Sequence, residues 1–300
     1  MFGNQTLKGV VLVALGATSY GMLATFVKLA YQENFTTAEV TTAQFTYGIL
    51  GILIINLFQR AKNKNTAVKA TKKNISQLML AGTSLGMTSV FYYLAVKHIP
   101  VSIGIVLLMQ TVWMGVLLEW ILDKKVPSMQ KTISVIVVLI GTALAINIFK
   151  INFNDPEIDW SIGLIWGLLA ATSFTTTMFT ANKVALEISS AQRSLYMLLG
   201  GAIIVLIFAL ITQVTPFNFE IFAKWGIILA LFGTIIPPML LNAGFPHTGI
   251  GLGSIVTSLE LPVSVLMAYF ILNEKVIGLQ WFGIFLIILA IVIMNIKVKK

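Results

Sequence analysis

Glu260-Leu261-Pro262 lies near the middle of an apolar run, Ser254 to Leu272, that is long enough to cross a lipid bilayer. A lone carboxylate in hydrocarbon costs ~3 kcal/mol on insertion scales, so its presence there points to work rather than packing. Pro262 has no N–H to give the carbonyl four residues back, which is that of Ser258. The segment therefore sets an ionisable side chain beside a freed carbonyl. That chemistry suits two tasks: recognition of a positively charged group, or the taking and releasing of a proton. Thr257, Glu260 and Ser264 share one helical face by their three-and-four spacing. Such a break is tolerated where it faces other helices or a water-filled cavity.

Other side chains of the right type fall at matching places. Ser19 and Tyr20 sit in a first apolar helix, Ser173 and Thr176 in a sixth, and Tyr92, Gln110, Trp113 and Asn242 in others. Hydroxyls and amides can hydrogen-bond a polar solute, and an aromatic wall can hold an apolar group or an amine by cation–π contact. The same hydroxyls can instead bond across helices or to their own backbone. The expected site is a midplane cavity with Glu260 as substrate ligand and proton carrier. Ser19, Tyr20, Tyr92, Gln110, Trp113, Ser173, Thr176, Asn242 and Thr257 are its expected wall.

Composition sets the class. The chain has 300 residues, 57% of them hydrophobic and 10% charged, against about 25% charged in soluble domains. There are no cysteines and two histidines, His98 two residues before Pro100 and His247 directly after Pro246. Thiolate nucleophiles and cysteine metal sites are excluded, and no metal or other cofactor is expected. The surface position of the histidines and the lack of a second mid-span carboxylate argue against an enzyme. Gly249-Ile250-Gly251-Leu252-Gly253 follows no strand, so a nucleotide loop is rejected. Leu7 to Ala30 is too long for the core of a cleavable signal.

With a ruler of about 20 apolar residues per span, the chain divides into ten: Leu7–Ala30, Thr37–Phe58, Ile75–Val96, Val101–Leu122, Thr132–Phe149, Trp160–Ala181, Ser194–Ile211, Lys224–Ala243, Ile250–Leu272 and Gly278–Ile296. Pro237-Pro238 predicts a kink or an unwound segment in the eighth. Placing the N-terminus inside leaves Lys28, Lys97, Lys150, Lys224 and Lys275 at the outer ends and the other fifteen Lys and Arg residues inside. That bias predicts that both termini are cytoplasmic. The loop bearing Arg60, Lys62, Lys64, Lys69, Lys72 and Lys73 has no interleaved aromatic residue and reads as contact with anionic lipid headgroups, not nucleic acid. Glu119 reads as interfacial, within reach of Lys124 or water.

The chain repeats itself. Leu15-Gly16-Ala17-Thr18-Ser19-Tyr20 matches Leu169-Ala170-Ala171-Thr172-Ser173-Phe174, and Leu122-Asp123-Lys124-Lys125-Val126 matches Leu272-Asn273-Glu274-Lys275-Val276. One transmembrane domain, 1–300, thus holds repeats 7–149 and 160–296. Five spans per repeat is odd, so the second copy starts from the opposite side, giving an inverted repeat. The alignment pairs Gln110 with Glu260 and predicts them on opposite sides of one cavity.

Ten spans in two five-helix halves, with Glu260-Leu261-Pro262-Val263 and Leu272-Asn273-Glu274 in the second, resemble the drug/metabolite transporter superfamily, EamA type. The resemblance covers nearly the whole chain. Members often carry Gly-Glu where this chain has Asp123-Lys124 and Asn273-Glu274, and a proline where it has Val112, which implies a less broken fourth helix. The resemblance implies an all-α membrane protein in a bacterial inner membrane, with a cavity lined mainly by spans 1, 3, 4, 6, 8 and 9. It further implies secondary-active export of small metabolites, amino acids among them. Import or facilitated exchange is the alternative, and a non-transporting membrane subunit ranks below both. The expected partners are a small-molecule substrate, protons and membrane lipids; the oligomeric state stays open.

Overall fold

The computed structural model describes residues 4–62, 68–124, 126–152, 158–273 and 275–295. Lys64, Lys125, Glu274, Ile296, Lys297, Lys299 and Lys300, used in the span, charge and repeat readings, lie outside them. Every regular element among the described residues is helical. In order they are α1 (Asn4–Gln32), α2 (Thr37–Lys62), α3 (Lys72–His98), α4 (Val101–Leu108), α5 (Thr111–Asp123), α6 (Met129–Ala145), α7 (Trp160–Lys183), α8 (Ser190–Thr212), α9 (Ile227–Ala230), α10 (Ile236–Thr257), α11 (Glu260–Ile271) and α12 (Gly278–Asn295).

Seven helical stretches are long and apolar enough to cross a membrane, and α6 and α12 are shorter apolar helices. One of the seven, Phe222–Ile271, is 50 residues long and turns a corner at Gly249. There φ is +75°, a conformation that only glycine adopts without strain. Leu50, Ile54, Leu206, Leu210 and Phe285 are among many large apolar side chains left exposed, as a lipid-facing surface requires.

Local chemistry starts and stops the helices. Thr36 and Glu39 form a reciprocal capping box on α2: Glu39 N–H donates to Thr36 Oγ1 at 3.2 Å and Thr36 N–H to Glu39 Oε2 at 2.8 Å. Ser128, Asp159 and Ser189 cap α6, α7 and α8 through their side-chain oxygens. Asn147, at φ +57°, ends the fifth span before Phe149, so the helix is shorter than the hydropathy run suggests. The capped start at Ser189 brings Arg193 inside α8, four residues earlier in the helix than the sequence reading began it.

Close packing uses small residues. α3 crosses α8 where Gly82 meets the Met197 backbone, Gly86 meets Gly201 and Gly200 meets the Met79 backbone, and Gly141 of α6 meets Gly283 of α12. α1 lies along α10 as α7 lies along α3. Likewise α11 packs on α1 as α4 and α5 pack on α7, while α2 meets α8 and α6 meets α12. Exchanging the first and second halves of the chain leaves this pattern of neighbours unchanged.

Two corrections concern the breaks. The fourth helix is broken as sharply as the ninth, at Met109–Gln110 against Ser258–Leu259. In both, backbone N–H groups reach three residues back instead of four: Gln110 to Leu107 at 3.0 Å, Leu259 to Val256 at 3.2 Å. At the ninth, Pro262 leaves Ser258 O free and Leu261 N–H takes it at 3.2 Å. No proline is needed at the fourth, because the Gln110 side chain donates to Val106 O at 3.0 Å and displaces its own backbone N–H. Pro237-Pro238 does not unwind the eighth helix. It widens the preceding turn, Leu231–Ile235, into a π-helix in which Ile236 N–H reaches back to Leu231 O.

Candidate functional site

Glu260 opens the first turn of α11 immediately after the Ser258–Leu259 break. A carboxylate is favourable at a helix N-terminus, where unpaired N–H groups and the dipole point toward it. Its neighbour is α1, which approaches closely because Gly21 has no side chain; a Cβ there would stand 2.5 Å from Glu260 O. The Glu260 side chain lines a cavity of about 130 Å³. Among the described residues no hydrogen bond or ion pair holds the carboxylate, and Tyr20 and Tyr92 lie within electrostatic reach of it.

The cavity runs to the end of the bundle where α1 finishes. Lys28 and Tyr31 line its outer part, Tyr92 and Tyr93 one side, Gln44 and Thr234 the other. Tyr31 and Tyr93 meet edge to face at 6.3 Å, and Tyr92 leans on Tyr93 at 5.8 Å. The floor is Tyr20 against Phe174, ring centroids 6.0 Å apart and nearly perpendicular. These two residues are equivalent in the sequence repeat. Beneath them is a small, mostly apolar cavity that also touches Asn242.

Of the ten residues expected on the wall, the structure brings Tyr20, Tyr92 and Glu260 together there. The others are placed elsewhere, each for a local reason. Ser19 Oγ donates to Phe232 O at 3.1 Å. In the π-helical register the donor for that carbonyl would be Pro237, which has none. Ser173 Oγ donates to Ser84 O at 2.8 Å, joining α7 to α3. Thr176 and Thr257 return their hydroxyls to backbone carbonyls of their own helices, Thr172 at 3.1 Å and Ser254 at 2.8 Å. Thr257 also lies before the break, so the three-residue rule that placed it beside Glu260 does not carry across. Gln110 is not opposite Glu260: its side chain spans Val106 O and the Trp113 ring N–H, 2.9 Å away, and Trp113 is an exposed side chain on the outer surface. Asn242 lies below the floor and donates to Ser194 Oγ at 2.9 Å.

Lys28, Tyr31, Gln44 and Thr234 reach the wall without having been expected there. Gln44 carried a signal, an amide side chain inside a predicted span. Ser264 also lines the wall, one turn after Glu260 on the same face.

The end where α1 begins is tied together by ion pairs and hydrogen bonds. Glu119 pairs with Lys131, not Lys124, and the pair packs against Gly249 and Gly251 at the corner of α10. His247 lies within α10 rather than in a loop, against Gly9 of α1. Lys183 meets Asp123 at 3.3 Å, and Asn182 donates to Phe245 O at 2.6 Å. Arg193, which the charge count set on the inner side just ahead of a span, is buried within α8. It donates to Asn242 O at 2.7 Å and to Thr180 and Ala181 O at 3.0 and 2.6 Å. Asn242 O is the carbonyl that Pro246 leaves without its helical donor, and the other two belong to the last turn of α7. Arg193→Met orphans the Asn242 and Ala181 carbonyls, while Thr180 O keeps the Val184 N–H at 3.0 Å, and is expected to cost at least about 2 kcal/mol of stability. Arg193→Lys should recover only part of it, because an ammonium lacks the planar fork. Thermal unfolding followed by tryptophan fluorescence checks this; a parent-like midpoint for the methionine variant would refute it.

Long apolar helices around a solute-sized cavity define a multi-pass helical membrane protein. The model of the EamA-like transporter family matches residues 7–147 and 161–296, and the chain belongs to that family. Its members are membrane transporters of the drug/metabolite type, not enzymes. A crystal structure described only as that of a protein has the same fold: TM-score 0.76 at 14% identity, over 98% of this chain and 99% of that one. No curated protein matches the chain significantly.

Proposed function

We propose that this chain is a secondary-active transporter that exports a small metabolite, an amino acid or related amphipathic compound, by alternating access. The observation that carries the reading is the cavity: lined by Lys28 and Tyr31 toward the end of α1, it reaches a carboxylate with no hydrogen-bond or ion-pair partner among the described residues and an aromatic floor. Glu260 binds the substrate's cationic group or a proton, and Tyr20 and Tyr92 flank it. Ser19, Gln110, Trp113, Ser173, Thr176, Asn242 and Thr257 stand behind this wall, where they set helix positions.

Ten spans follow if the 50-residue stretch is divided at Gly249 and α6 and α12 are counted. The exchange of neighbours between α1–α10 and α7–α3 supports two inverted repeats, 7–149 and 160–296, in one domain. The charge distribution supports both termini being cytoplasmic, and the family resemblance supports a bacterial inner membrane. The Lys28 and Tyr31 end of the cavity is then external, and the ion pairs and Arg193 tie the cytoplasmic side together. Inward opening requires the Tyr20–Phe174 floor to part, with the breaks at Met109–Gln110 and Ser258–Leu259 as flexing points. The substrate, protons and lipids are the partners, and no cofactor is involved.

The absence of native cysteines makes the test direct. Ser264→Cys should react with a membrane-impermeant thiol reagent at least about tenfold faster than the lipid-facing control Ile288→Cys, because the reaction needs water and thiolate. A panel of amino acids and amines is then screened for slowing of that reaction and for flux in proteoliposomes under an imposed pH gradient. Equal labelling of the two positions would remove the cavity from the mechanism.

A further inference from the structure

Gln44 of α2 is the one buried amide side chain among the described residues that makes no hydrogen bond. The other buried amides, Asn56, Asn74, Asn182, Gln192 and Asn242, each donate to an oxygen of the protein. An amide within a helix can fold back on the carbonyl four residues earlier, as Asn56 does to Ile52 O at 2.9 Å. Gln44 does not; its side chain lines the Glu260 cavity. Only 3% of the residue is accessible, so bulk water does not take the place of a partner. A buried polar group left unpaired calls for an explanation.

The neighbouring helix holds Gln44 in that position. Pro237-Pro238 widens the turn Leu231–Ile235, and this turn carries Gly233 and Thr234 against α2. Thr234 Oγ1 donates to Gln44 O at 2.9 Å, and Gly48, one turn on, leaves room for the same hydroxyl. Gly233 leaves room for the Gln44 amide itself. On α1, Gly21 stands against Glu260 and Leu23, two residues on, against Gly233. Glu260 and Gln44 therefore reach one cavity from different sides of α1. The hydroxyls of Tyr20, Tyr92 and Tyr93, on the same wall, also have no hydrogen-bond partner among the described residues.

We propose that Gln44 is a specificity-determining substrate anchor, whose amide N–H groups hold a carboxylate or carbonyl oxygen of the molecule whose ammonium group meets Glu260. This deepens the transport reading above and rests on it. Glu260 is the one carboxylate among the described lining residues. A bare cation would satisfy it and leave Gln44 and the three phenols unpaired. A ligand with acceptor oxygens close to its cationic group matches both sets. The cavity is about 130 Å³, and one of about 150 Å³ holds benzene, so the ligand's body is small.

The test follows protection of Ser264→Cys, on the cavity wall, from a membrane-impermeant thiol reagent in proteoliposomes. The protectants are L-valine and 2-methylpropylamine, which is the same molecule without its carboxylate. L-valine should protect at a concentration lower by about tenfold or more. Adding Gln44→Leu should raise that concentration about tenfold or more and leave the amine's unchanged, whereas adding Glu260→Gln should raise both. The ligand-free thermal midpoint of the Gln44→Leu protein should not fall, because no hydrogen bond is lost. A lower midpoint makes Gln44 a structural residue and overturns the inference. Equal protection by the two probes, protection by neither, or an unchanged L-valine concentration with Gln44→Leu also overturns it. The cavity reading fails separately, if Ser264→Cys is labelled no faster than Ile288→Cys.

Discussion

Glu260→Gln should lower transport about 100-fold or more, because deleting the charge that faces a desolvated partner typically costs 2–5 kcal/mol. The amide is nearly isosteric, so α11 and its contact with Gly21 persist; only charge and proton are lost. Whatever flux remains should be insensitive to pH, because a glutamine cannot exchange a proton. Glu260→Asp keeps the chemistry on a shorter arm and should retain part of the rate and the pH dependence. Counterflow in proteoliposomes measures the substrate role, and flux under an imposed pH gradient measures the proton role. Parent-like counterflow would remove the carboxylate from substrate binding. Parent-like pH dependence would remove it from coupling.

Gly200→Val is expected to have the largest effect on stability. A Cβ at this position runs into the Met79 backbone, and one at Gly82 into the Met197 backbone, on the facing helix. Backbone cannot swing aside as a side-chain tip can, so α3 and α8 must separate. Overpacking in a tight interior costs 1–3 kcal/mol even where neighbours can adjust, and here about 3 kcal/mol or more is expected. Gly82→Val should behave alike. Leu210→Val, on the exposed face of α8, should be neutral. Thermal midpoints in detergent, read by tryptophan fluorescence, decide this. A Gly200→Val midpoint equal to that of Leu210→Val would mean that the helices do not cross there.

Much of this molecule was legible without coordinates. Hydropathy alone located the apolar helices, because the bilayer demands about 20 residues per crossing. The repeated Ser19-Tyr20 and Ser173-Phe174 stretches announced two related halves, and both family-model matches follow that division. Glu260 stood out for its cost. The wall of the cavity was far less legible. Hydroxyl and amide groups in lipid have a near partner in their own backbone, and Thr176, Thr257 and Gln110 took it. Arg193 was misplaced for a related reason. Its partner is the carbonyl that Pro246 frees, and nothing local to Arg193 announces that the two meet.

The amino-acid sequence by itself determined a lipid-soluble, all-helical chain in two copies, with one ionisable group that hydrocarbon alone would not tolerate. Only the tertiary structure decided which polar groups see that carboxylate, and it chose Tyr20, Tyr92, Gln44 and Ser264 over most of those the spacing suggested. The reason is rotational. A helix that tightens to a three-residue step at Met109–Gln110 or Ser258–Leu259, or widens at Leu231–Ile235, turns every later side chain to a new face. The size of that turn is set by neighbouring helices, not by the residues that make it.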